Sequence, residues 1–234
     1  MNILGLWYSH CGINRHILLS SLRAIERAVQ LSGACRPRVV CCVWEPIADN
    51  PFSELIHHHP MANHLGIAMQ IARILWEEQA AGRDYDAVCF LEHDVLYPHN
   101  YFDLTAEALR QHPEAPGVFN HDYIGLNQTG FLKTLDRGEP PLHQLSMRHA
   151  FALEHVERLI RECICGGWRI VEPTHALSRF AIRPELGIAP AVHINQSKPF
   201  TSHFNCFERT GTPTHPYWGE AVQHYPAEEH DARG

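Results

Sequence analysis

Three short, largely apolar runs constrain this chain more than any other feature: "NILGLWYS" (Asn2 to Ser9), "RVVCCVWEPI" (Arg38 to Ile47) and "DAVCFL" (Asp86 to Leu91). Such runs suit strands buried on both faces, because every side chain of the alternating pleat must then find apolar surroundings. Two segments of helical spacing separate them. From Arg15 to Leu31, apolar Leu18, Leu22, Ile25 and Val29 recur on one helical face, with Asn14 placed to cap the start and Gly33 the end. Asn63 opens a second helix through "LGIAMQIARILWEEQ", stopped by Gly82. Strand, helix, strand, helix, strand predicts a parallel sheet with helices on both faces. Ligands of such sheets bind beyond the carboxyl ends of the strands. Here those ends are residues 9–15, residues 45–50 and Glu92-His93-Asp94, all polar, so one crevice lined by three loops is expected.

The rest of the chain is less regular. A short helix is expected over residues 101–111, irregular strands with turns over 116–132, a helix from about Ala150 to Cys163 ended by Gly166-Gly167, and short strands in "WRIVEP" and "PAVHIN". The 234 residues, 45% of them hydrophobic, support one sizeable core, and no linker, charge block or repeat divides them. The predicted organisation is one domain over residues 1–206, a regular half (1–112) and an acceptor-like half (113–206), followed by an extended tail (207–234). A formal charge of -7 argues against a general electrostatic grip on nucleic acid, while leaving room for a local basic groove. "MNILGLWYSH" is too short and polar for a signal peptide, and no run of about 18 apolar residues is present. The eight cysteines are scattered, several of them in apolar runs, as expected of reduced thiols in a cytoplasmic protein.

The chemistry-bearing feature is the triplet Glu92-His93-Asp94. Side chains alternate along an extended backbone, so Glu92 and Asp94 are expected on one side and His93 on the other. Paired carboxylate oxygens suit Mg²⁺ or Mn²⁺, particularly where substrate phosphates complete the shell. The alternative is a solvated strand exit.

The stretch "DYDAVCFLEHDVLYPHNYFD" resembles the segment of GT-A-fold glycosyltransferases in which an apolar strand runs into an Asp-x-Asp motif, followed by an apolar patch, a proline and a short helix. The preceding "NHLGIAMQIARILWEEQAAGRDYDAV" resembles the run before that motif in the family-two-like members. The resemblance covers element order over about residues 1–109 and local sequence over about 62–103. It implies an α/β fold: a single-domain, GT-A-like, Rossmann-related mixed sheet flanked by helices, with an irregular C-terminal part. It also implies metal-dependent transfer of a sugar from a nucleotide-sugar, a UDP-sugar first among them, to a hydroxyl acceptor.

The departure is Glu92 where Asp is usual, with His93 in the middle. On the family pattern Asp94 is the first candidate ligand to the ion and Glu92 the second. A late-strand histidine joins them in many such enzymes, here His193 in "AVHI" or His203 in the following loop. Ser9, Asn14 and Arg15 would lie near the nucleotide, Trp7 or Tyr8 would stack on its base, and Asn63 would lie near the donor. For an inverting transfer, Asp122 in "FNHDYIG" or Glu154 in "FALEHVE" would take the acceptor proton. Small soluble phage glycosyltransferases resemble this layout, which keeps a hydroxymethylated DNA base among the acceptors. Small size and the lack of a membrane segment disfavour polymerising or lipid-linked systems.

Three other classes compete. A zinc protein is suggested by Cys163, Cys165 and nineteen histidines, including His57 to His59, but no C-x-x-C pair is present. A nucleotidyltransferase would ordinarily carry a Gly-rich basic loop after the first strand, whereas "SHCGINRH" has one glycine and no lysine. A non-catalytic binding module is the third.

Overall fold

The first three apolar runs become neighbouring strands of one sheet. The computed structural model describes residues 1–58, 64–119, 123–126, 132–135, 145–165, 181–182, 191–194 and 214–220. In chain order the elements are β1 (Asn2–Ser9), α1 (Arg15–Leu31), β2 (Arg36–Val43), β3 (Ser53–Ile56), α2 (His64–Ala80), β4 (Ala87–Glu92), β5 (Val95–Leu96), α3 (Tyr101–Gln111), β6 (Gly117–Phe119), β7 (Tyr123–Leu126), β8 (Leu132–Leu135), β9 (Leu145–Arg148), α4 (His149–Cys165), β10 (Ala181–Ile182), β11 (Ala191–Ile194), β12 (Thr214–His215) and β13 (Gly219–Glu220).

Seven strands form the main sheet in the order β10-β6-β9-β4-β1-β2-β3. Strands β1, β2, β3 and β4 run parallel, whereas β9 is antiparallel to both β4 and β6, so the sheet is mixed. Both faces of the central strands are covered. Leu4, Leu6 and Tyr8 of β1 join Val88 and Phe90 in a core built with α2 and α4. Ile3 and Trp7 join Cys89 and Leu91 in a second core with α1 and α3. This two-sided burial is why the runs lack the polar alternation of a half-exposed strand. A smaller sheet, β5-β11-β7-β8, packs Leu96, Ile124, Leu126 and Val192 around Ile17 of α1.

Several boundaries differ from the sequence expectation. β2 begins at Arg36 and stops at Val43, because the chain bends at Trp44 and Glu45 ahead of Pro46. Helix α1 does not end on a left-handed glycine. Ser32 is its cap, and the Gly33 and Ala34 N–H groups donate to the Asp103 carboxylate at 2.9 Å each. Gly82 does adopt the left-handed conformation (φ +67) and closes α2 by donating to the Gln79 carbonyl. Within the expected C-terminal tail, β12 and β13 form a hairpin whose Tyr217 stacks on His99 and hydrogen-bonds to it. Among the described residues, no helix is long and apolar enough to cross a membrane.

At the far end of the sheet, buried Glu78 accepts hydrogen bonds from Arg38, Arg83 and Tyr85. Burial pushes the Glu78 carboxyl up, but these bonds and the two guanidinium charges outweigh it and hold it below the ordinary glutamate value. A depressed folded-state pKa stabilises above the unfolded value, and that contribution is lost as pH falls through the folded one. Replacing Glu78 by Gln is therefore expected to cost about 2 kcal/mol at pH 7. The wild type–variant difference should shrink as pH falls below the ordinary glutamate value of 4.5, read from urea unfolding at each pH.

Candidate functional site

The register of the central strands sets Tyr8 opposite Glu92 and Ser9 opposite Val43, so the loops after β1, β2 and β4 leave the sheet side by side. They converge as expected. The Ser9 hydroxyl lies 2.9 Å from Nδ1 of His93 and accepts from the Cys11 N–H at 2.9 Å. The ring of His10 packs edge-on to His93 (4.9 Å between centroids) and tilts against Trp44 (5.7 Å), which in turn meets His58 (4.7 Å). The Cys11 thiol reaches the Glu45 carbonyl at 3.6 Å, and Arg15 pairs with Asp49 at 3.5 Å. Both members of that ion pair are largely exposed, so it contributes little to stability.

Gln70 supports this end of the sheet from below. It is a buried polar residue in the otherwise apolar "LGIAMQIARIL" of α2, and its side-chain amide donates to the carbonyls of Ser9 (2.8 Å) and Cys42 (2.9 Å). Those carbonyls belong to the ends of β1 and β2, where backbone pairing gives out. Its sequence signal was a lone polar side chain inside an apolar helical run.

Glu92 is held at three points. Its carboxylate accepts from the Tyr8 hydroxyl (3.0 Å), its N–H donates to the Tyr97 oxygen (2.9 Å), and its carbonyl accepts from Ser21 of α1 (3.2 Å). Burial, followed by the Glu92 charge, pushes the Tyr8 phenol well above its ordinary value. Tyr97 is raised likewise by burial, then by Tyr101 and Glu92. The Asp94 charge adds a smaller push to both tyrosines, so its carboxylate belongs to the same electrostatic neighbourhood. Glu92, His93 and Asp94 are all half-buried.

The expected opposition of Glu92 and His93 is present, although the strand itself stops short of Asp94. β4 ends at Glu92, and residues 93–94 form the turn into β5. Glu92 lies on the α2/α4 side with Tyr8, while His93 turns to Ser9 and His10 in the crevice. Trp7 does not reach a ligand. It is fully buried and its indole N–H donates to Ser21 at 3.3 Å, so no base can stack on it. Tyr8 is likewise a core residue bonded to Glu92. Asn14 caps α1, accepting from the His16 N–H at 2.7 Å.

Glu154 sits elsewhere. The His149 N–H donates to the Asp86 carbonyl, just ahead of β4, so α4 starts at the end of the sheet opposite Glu92. Glu154 is five residues into α4, about 8 Å along its axis, whereas β4 is about 17 Å long. It is also exposed on the outer face. Glu154 therefore does not join the cluster formed by the three loops.

The backbone of His193 pairs with Val95, the residue after Asp94, which brings β11 alongside the acidic turn. Asn63, Asp122 and His203 lie outside the described residues. Among the described residues no group of three His, Cys, Asp or Glu side chains gathers as a ready-made metal site. Cys165 is exposed and free, without a zinc-like cluster around it among those residues. A recess of about 310 Å³ lies between α2 and α4, lined by Trp76, Ile160 and Ile164 among others, and takes no residue from the three loops.

No family model and no curated protein matches the sequence. Solved structures do match its fold. A glycosyltransferase involved in the glycosylation of the major capsid of PBCV-1 aligns over 82% of this chain and 91% of its own, with a TM-score of 0.52 at 12% identity. S. aureus TarS 1–349 in complex with UDP aligns over 83% of this chain and 61% of its own (TM-score 0.52, 12% identity). The UDP-GlcNAc complex of the same TarS fragment gives 88% and 62% (TM-score 0.51, 10% identity). The chain therefore has the GT-A-like fold of these nucleotide-sugar transferases, a mixed α/β sheet flanked by helices, as the resemblance around Glu92-His93-Asp94 implied.

Proposed function

We propose that this protein is a glycosyltransferase that takes its sugar from a nucleotide-sugar, with a UDP-sugar as the first donor to test, and delivers it to a hydroxyl acceptor. One observation carries the reading: the half-buried pair Glu92 and Asp94 stands at the end of the central strand β4, beside the meeting point of the loops after β1, β2 and β4. The UDP and UDP-GlcNAc complexes of the TarS fold neighbour support the choice of donor.

Two carboxylates beside a strand bearing His193 are an oxygen-rich, incomplete donor set, which suits a hard divalent ion whose shell substrate phosphates finish. Asp94 first and Glu92 second would hold Mn²⁺ or Mg²⁺, with His193, or His203 as the alternative, as a further ligand. When bound, the ion supplies positive charge against the leaving diphosphate. The chain's own groups bind and orient. Ser9 fixes the His93 ring at the crevice floor, and Arg15 and Asn14 stand at the start of α1 near the nucleotide. Asp122 remains the candidate that accepts the acceptor proton, and Asn63 a candidate donor contact. A hydroxymethylated DNA base stays an acceptor to test, through DNA binding at low salt.

The experiment is a panel of nucleotide-sugars with Mn²⁺, following nucleoside diphosphate release with and without a chelator. One donor should be turned over, and the chelator should suppress it. Release from none of the panel would remove the reading.

A further inference from the structure

The carboxylate of Glu92 is not simply a second acid beside Asp94. Its position depends on Tyr8, which arrives from the neighbouring parallel strand with its ring in the core and its hydroxyl at the strand end. The two residues are register partners, so the bond from Tyr8 to Glu92 Oε1 (3.0 Å) crosses directly between β1 and β4. The backbone of Glu92 is fixed separately, by Tyr97 at its N–H and Ser21 at its carbonyl. The main chain is therefore anchored without Tyr8, and the hydroxyl of Tyr8 acts on the carboxylate alone.

We infer that Tyr8 is a positioning residue for the divalent-cation site: its hydroxyl holds the Glu92 carboxylate in one orientation, so that the turn through Asp94 meets the ion with its oxygens already arranged. The inference rests on the cation role proposed for Glu92 and Asp94. Groups that orient ligands in this way alter metal affinity without touching the metal. A buried tyrosine that merely filled the core would act on stability only.

The test is Mn²⁺ binding to the full chain in the absence of nucleotide, followed by titration calorimetry or by the electron-paramagnetic signal of free Mn²⁺. Tyr8→Phe keeps the ring and removes the hydroxyl. Tyr101→Phe is the matched control, since Tyr101 is equally buried and its hydroxyl faces Ser146 rather than Glu92. Tyr8→Phe should weaken Mn²⁺ about 10-fold, with a melting temperature close to that of Tyr101→Phe, and the control should bind as wild type does. Equal affinity in wild type and Tyr8→Phe would overturn the inference, as would a loss of affinity shared by both variants. Wild type that binds no Mn²⁺ at all would instead overturn the cation role itself.

Discussion

Replacing Asp94 by Asn is expected to lower nucleotide-sugar turnover by about 100-fold or more while leaving the fold intact. The substitution keeps the shape of the side chain and removes its charge. Asp94 lies in the two-residue turn between β4 and β5 and is half-buried, so no strand pairing depends on its carboxylate. It stands at the strand end shared with Ser9 and His93, where the three loops meet. The comparison is nucleoside diphosphate release by wild type and variant, each with Mn²⁺ at saturation, alongside thermal melts. Turnover at the wild-type rate by Asp94→Asn would show that this carboxylate does not serve the reaction.

The second large effect concerns stability. Gln70→Leu should cost about 3 kcal/mol, because it removes the side-chain amide that donates to two buried carbonyls, those of Ser9 and Cys42. Leucine fits the apolar surroundings of α2 in size, so lost packing adds little. Urea unfolding should show a lower midpoint with an unchanged slope. The same variant should bind donor more weakly, since the brace lies under the crevice floor. A variant as stable as wild type would mean that other groups satisfy the two carbonyls.

The legible part of the fold was its local part. Residues 2–9, 38–43 and 87–91 announced strands because burial on both faces leaves only apolar side chains, and α1 declared itself by its spacing. Position 9 and residues 92–94 stood out because polar residues abruptly follow such runs. What was hidden depends on distant pairing. Nothing within Leu145–Arg148 states that β9 slots antiparallel between β4 and β6, and that reversal puts the start of α4 at the end of the sheet away from the crevice. Alternation placed Glu92 and His93 on opposite sides, as observed, but it is no guide at Asp94, because the strand ends at Glu92. Trp7 and Tyr8 looked like ligand-facing aromatics. Trp7 is buried under α1 and α3 and Tyr8 under α2 and α4, a cover that the strand's own residues do not announce.

Binding of the nucleotide itself tests the central claim most directly. UDP, and in parallel other nucleoside diphosphates, would be titrated calorimetrically into wild type with Mn²⁺ and again with excess chelator. The predicted result is one saturable site for at least one nucleoside diphosphate, weakened at least about 10-fold by the chelator and by Asp94→Asn. No saturable binding of any nucleoside diphosphate, with or without the cation, would contradict it.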